Sequence, residues 1–241
     1  MANFQMLNLE QHADLKVIDD RSEAFGDNVM YAMTFPIEFR NIQGNYPIFF
    51  QKNAETGAFF PVALFGFQEG ENLFLSADGW DAQYVPLMIR RQPFVIGFQK
   101  DESAESQKKA VITLDMDNPR VNTERGNALF EAHGGMSDYL TAMGANLEMI
   151  HAGTQHSEQF ITAITELDLI EPFTLDVPLN DGSQNQLLGL YTVNEESLQQ
   201  LDGEALGTLN SKGYLMPLFM ILASHSCLTT MVNKKNAQVS V

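Results

Sequence analysis

Between Gly126 and Ser211 the chain has no lysine and no arginine, and its charged side chains there, from Glu131 to Glu204, are carboxylates only. Half of the chain's 14 basic residues stand just before that stretch: Arg90, Arg91, Lys100, Lys108, Lys109, Arg120 and Arg125. The net charge is −17. Such a surface repels phosphate backbones and anionic lipid, so nucleic acid is excluded as a partner. It attracts basic protein surfaces. Salt softens the self-repulsion, which makes a saline-adapted host the bland explanation of the acidity.

Cysteine is nearly absent. The one thiol, Cys227, cannot form an intrachain disulfide, which fits a reducing compartment. It sits in an apolar run with no base close by to lower its pKa, so it reads as buried and inert. The start, Met1–Val17, lacks the charged head and long apolar core of a signal peptide, and the expected location is the cytoplasm. Gly213–Asn233 carries no charge, yet Pro217, Ser224, His225, Ser226, Thr229 and Thr230 interrupt it. It is expected to be a buried core helix rather than a membrane span.

The catalytic signatures are missing too. Gly-x-Ser-x-Gly, Gly-x-Gly-x-x-Gly and the Walker pattern do not occur. Ser224-His225-Ser226-Cys227 offers reactive side chains, but neighbours on a helix point in different directions. A packed core with a hydrogen-bonded His225 is the better reading. Of the five histidines, His151 and His156 stand five apart, about 140° around a helix, so they do not share a face. His151, His156 and Glu158 read as a solvated polar face unless Gly153 breaks the helix, and no metal or other cofactor is expected.

What is present is pattern. Residues 1–30 form a polar arm with one short strand near Leu15–Ile18. Tyr46–Gln51 and Ala58–Phe67 flank the turn Asn53–Gly57 as a β-hairpin, in which Pro61 needs an edge or a bulge. Leu73–Ser76 is a strand ended by Asp78-Gly79. Ala82–Arg91 is a short helix with Asp81 as N-cap, provided that Pro86 falls in its first turn. Pro93–Gln99 and Ala110–Asp115 are strands around the charged loop Lys100–Lys109. Asn118–Gly135 is irregular, a mobile loop or a boundary.

Ser137–Asp168 is helical, with an apolar stripe of Leu140, Met143, Leu147, Ile150, Ile161 and Ile164. Phe173–Leu179 and Leu187–Val193 form a second hairpin around Asn180–Ser183. Asn194 caps a helix to Leu201, and Asp202 caps another to Asn210. A last helix runs from Tyr214 to about Met231, ending near Lys234-Lys235.

Three stretches together resemble one family: LNLEQHADLKV at 7–17, the block from Tyr46 to Phe98 that contains SADGWDAQYVPLMIRRQPFVIGF, and QLLGLYTVNEESLQQLDGEALGTLNSKGYL at 186–215. They are similar to the SapC family of bacterial proteins. The resemblance implies association with a surface layer, from which the family takes its name. It also implies a flavin-dependent halogenase-like enzyme or a receptor-linked system as partner. It supplies no catalytic residues.

The fold is expected to be α+β over 1–241, a single domain. An antiparallel or mixed sheet comes from the strand-rich 30–115, and C-terminal helices from 137–233 pack on it with the second hairpin. The expected function is that of a non-catalytic binding or accessory protein acting through protein contacts, with a basic partner surface. An enzyme or enzyme subunit acting on a peptide or small molecule, and a surface-layer component, are the alternatives. Trp80 and Tyr84 read first as core or turn packing, with a partner needed for one polar atom each. If there is a groove, Trp80, Tyr84, Arg90 and Arg91 are its expected lining, because Trp and Tyr also anchor interfaces. Arg90-Arg91 and Lys108-Lys109 otherwise read as solvated.

Overall fold

The computed structural model describes residues 3–100, 108–182 and 184–239. The chain begins with strand β1 (Phe4–Met6), helix α1 (Leu9–His12), strand β2 (Lys16–Val17) and a 3-10 turn at Glu23–Phe25. Next come β3 (Tyr31–Met33), α2 (Phe39–Ile42), the hairpin β4 (Ile48–Lys52) and β5 (Phe59–Leu64), and the short β6 (Leu75–Ser76) and β7 (Gly79–Trp80). There follow α3 (Leu87–Arg90), β8 (Phe94–Lys100), β9 (Lys108–Asp115), β10 (Val121–Asn122), β11 (Asn127–Ala128) and the long α4 (Asp138–Glu166). The last part holds β12 (Ile170–Pro178), β13 (Gln184–Val193), α5 (Glu195–Gln200), α6 (Gly203–Ser211), α7 (Leu215–Ser224) and α8 (Cys227–Val239). The fold is α+β, and every strand pairing among the described residues is antiparallel.

These elements gather into two compact units, each made of two separate stretches of chain. The first unit is Met1–Asp27 with Leu87–Ala152, and the second is Asn28–Pro86 with Gly153–Val241.

In the first unit β9 lies between β1 and β8, and β2 lies between β10 and β11. Ser137 starts α4: its hydroxyl oxygen accepts from Leu140 N–H at 3.1 Å and its own hydroxyl donates to Ala128 O at 2.7 Å. The stretch Asn118–Gly135 is not the mobile loop its polar composition suggests. It carries Arg120, which is fully buried, and Leu129, also fully buried. Arg120 donates to the carbonyls of Ile18 and Asp20 and to the Asp27 carboxylate, and it lies over the Phe25 ring. Arg21 sits beside it and donates to Ile89 O and to Asp19. A polar segment becomes fixed because leaving any of these charges unpaired in the interior is costly.

In the second unit the five-stranded sheet runs β12-β13-β4-β5-β3, so the second hairpin joins the sheet of the first through β13. Pro61 sits in β5, an interior strand rather than an edge. Its carbonyl accepts from Thr34 N–H at 3.0 Å, so its nitrogen faces the same side, where β3 has already ended at Met33. The donor that proline lacks therefore falls at the end of the β3 ladder. The β12–β13 hairpin carries a bulge, with Phe173 opposite Leu190 and Leu175 opposite Leu187. Gly189, at φ +77°, takes up the extra residue. Asn194 and Asp202 cap α5 and α6 through the amides of Ser197 and Ala205.

Further readings are corrected or decided. The helix over 82–91 shrinks to Leu87–Arg90, because Pro86 disfavours helix in the residue before it. Asp81 is no cap: its amide donates to Phe74 O and its carboxylate pairs with Lys234. Gly153 does not interrupt α4. It is needed for contact, since a Cβ there would lie 2.8 Å from Phe35 Cγ. The last helix is two, turning at His225-Ser226 and continuing to Val239, because Lys234 and Lys235 find Asp81 and Glu71 along α8 rather than at its end. Within Leu215–Gln238 a window of mean hydropathy 1.6 is long and apolar enough, by length and composition, to cross a membrane; 33% of it is buried.

Candidate functional site

The first unit contains an open apolar trough between the β8–β9 hairpin and α4. Alternate residues of a strand share a face, and the register pairs Phe94 with Leu114, Ile96 with Ile112 and Phe98 with Ala110. Phe94 and Leu114 close the inner end in the core, while Phe98 at the outer end is 56% exposed. Opposite them, α4 presents Thr141, Gly144, Ala145, Glu148 and His151, three and four residues apart and so on one helix face.

Small side chains on that face are what leave the space. A Cβ on Gly144 would already meet Ile112 Cδ1 at 3.5 Å. The resulting trough measures about 470 Å³, and Met136 stands among its lining residues. Thr141, Ala145, Glu148, His151 and Met136 are all exposed, so it is a surface channel rather than an enclosed cavity. The His151 ring meets the edge of Phe98 with centroids 6.0 Å apart. Glu148 has no hydrogen bond or ion pair among the described residues. It lies inside the stretch that lacks lysine and arginine.

The four residues expected to line a groove are divided between the units. Trp80 and Tyr84 belong to the second. Trp80 Nε1–H donates to Tyr46 Oη at 2.7 Å, the Tyr46 hydroxyl donates to Tyr84 O, and the Tyr84 hydroxyl donates to Glu38 at 3.0 Å. Burial pushes the Tyr46 hydroxyl well above its ordinary pKa. The thread satisfies the polar atoms of an aromatic cluster with Phe65 and Phe74. Arg90 and Arg91 belong to the first unit, and both are half-buried. Arg91 donates to Phe94 O at 2.8 Å, and burial lowers its pKa. Lys108-Lys109 opens β9, but its side chains lie outside the described residues.

The remaining reactive groups are placed as well. His151 and His156 stand on one continuous helix. His151 turns to Phe98, and His156 to the Tyr214 ring at 5.5 Å. Among the described residues no three His, Cys, Asp or Glu side chains cluster as metal ligands. His225 stacks on Phe49 at 4.8 Å, with Nε2 3.3 Å from Thr192 Oγ1, and burial lowers its pKa. Ser224 accepts from Ile48 N–H and donates to Ile221 O. The Cys227 thiol is buried against Gln43 O, and burial pushes its pKa up.

The model of the SapC family matches residues 7–231. The chain belongs to the SapC family. None of the curated proteins and none of the solved structures compared with it matches. The SapC match covers most of both units and every residue of the trough.

Two features escaped the sequence reading. The trough had a signal: Thr141, Gly144 and Ala145 put small residues on one face of an otherwise bulky helix. The buried Arg120–Asp27 pair had none, because its partners are 93 residues apart.

Proposed function

We propose that this SapC-family protein is a non-catalytic accessory protein, and that its trough holds a basic, amphipathic segment of a partner polypeptide. The observation carrying this is the Glu148 carboxylate, which has no partner among the described residues, at an exposed, apolar trough. An apolar side chain of the segment fills the space over Gly144, and a lysine or arginine beside it reaches Glu148. The charge of the chain steers such a segment inward and turns polyanions away. A channel with one exposed side accommodates an extended or helical segment better than a ligand that must be enclosed.

The test is fluorescence anisotropy with a labelled peptide of alternating leucine and lysine. Gly144→Leu fills the trough and is expected to weaken binding more than tenfold, about the loss of a central anchor. Glu148→Gln is expected to weaken it about 2- to 5-fold and to reduce its salt dependence. Equal binding to wild type and to Gly144→Leu would mean that the peptide is held by general charge alone, and would reject the reading.

A further inference from the structure

The second unit carries a cationic, apolar surface of its own. Its lysines are mostly committed: Lys234 pairs with Asp81, Lys235 with Glu71, and Lys52 lies over the Phe59 ring at 5.2 Å. Arg40 is different. It is exposed on α2 between the buried anchors Phe39 and Ile42, and no ion pair or side-chain hydrogen bond engages it among the described residues. In a chain of net charge −17 an uncompensated arginine stands out.

Arg40 sits at a cleft of about 280 Å³ with Ile37, Met216, Pro217, Met220 and His156. Local chemistry builds it. Gly213, at φ +76°, ends α6 with the paired bonds Tyr214 N–H to Leu209 O and Gly213 N–H to Asn210 O. That turn sinks Tyr214 beneath His156 and Phe160 and launches α7 at once. Pro217, in the first turn of α7, costs no helix bond. The start of α7 therefore faces α2. Ile37 is 45% exposed, Met216 56% and Phe219 52%. Ile37 and Met216 thus stay in water at the cleft that Arg40 lines, and Phe219 is exposed on the same helix as Met216.

We propose that this surface docks a short acidic segment of a partner polypeptide, in which one apolar side chain enters the cleft and a neighbouring carboxylate pairs with Arg40. The cleft is smaller than the roughly 300–1,000 Å³ usual for small-molecule sites, and it suits one or two side chains. Methionine walls adapt to the shape of an anchor residue. The guanidinium offers a fork that a carboxylate fits in bidentate fashion. Acidic partner segments are repelled by most of this chain, so the surface selects by charge as well as by shape.

The test uses a labelled hexapeptide with a central Leu-Phe pair flanked by glutamates, and the same peptide with glutamines. Both are titrated by anisotropy into the full chain. The glutamate peptide is expected to bind, Arg40→Gln to weaken it about 5-fold, and the glutamine peptide to bind as weakly to wild type. Met216→Glu is expected to abolish binding while the far-UV circular dichroism stays unchanged. Four results would overturn the proposal. They are equal affinity for the two peptides, no effect of Arg40→Gln, equally strong competition by decanoate, and self-association in sedimentation that Met216→Glu abolishes. The last would assign the face to a second copy of the chain.

Discussion

Arg120 donates to Asp27 at 2.5 Å, with neither side chain exposed to solvent. The pair fixes the first unit from both of its chain segments. Removing one partner strands the other charge in the interior, at a cost of about 3–5 kcal/mol. Arg120→Met and Asp27→Asn should each lower the urea midpoint sharply. A midpoint within experimental error of wild type for both would show that the pair contributes nothing.

His225 gives a pH dependence of definite sign. Its folded pKa lies below the ordinary 6.5 because burial disfavours the imidazolium. Between the folded value and 6.5, only the unfolded state binds the proton, so stability falls as pH drops below about 6.5 and is full above it. His225→Phe should flatten that part of the profile, read as unfolding free energy at pH 7.5 and 5.5. An unchanged slope in the variant would refute the assignment.

Gly153→Ala tests two opposing effects. Alanine favours an exposed helix interior by about 1 kcal/mol. Here its Cβ would meet Phe35 Cγ at 2.8 Å, and such overpacking costs about 1–3 kcal/mol. A lower melting temperature is expected. A rise would show that Phe35 moves aside freely.

Cys227 should be silent in the native protein. Its thiol is buried and its pKa is raised, so little thiolate is available to react. Ellman's reagent is expected to label it slowly in buffer and promptly in urea. Rapid native labelling would contradict the packing around it.

Where the determinants are local, the sequence declared them. Asn53 accepts from the amides of Glu55 and Thr56, and Gly57 takes φ +71°, so the first hairpin was legible from turn chemistry alone. Asn194 and Asp202 announced their helices in the same way. The apolar spacing of α4 predicted its length, yet not that Gly153 was chosen for contact with Phe35. Lys234 and Lys235 resembled a helix terminus only because Asp81 and Glu71 are far away in sequence. Trp80 was legible as a residue whose N–H needs a partner, but sequence does not show that the partner is the Tyr46 hydroxyl. The small residues that open the trough gain meaning only once the β8–β9 hairpin stands opposite them.

Each unit is completed by chain that emerges late. Asp27 leaves the ribosome 93 residues before Arg120. At about 5–20 residues per second that is a wait of roughly 5–20 s for a carboxylate destined for the interior. The first hairpin of the second unit waits longer still for β13. Early residues of this chain therefore spend their first seconds hydrated and unpaired, and the acidity that later repels wrong partners also keeps the growing chain in solution.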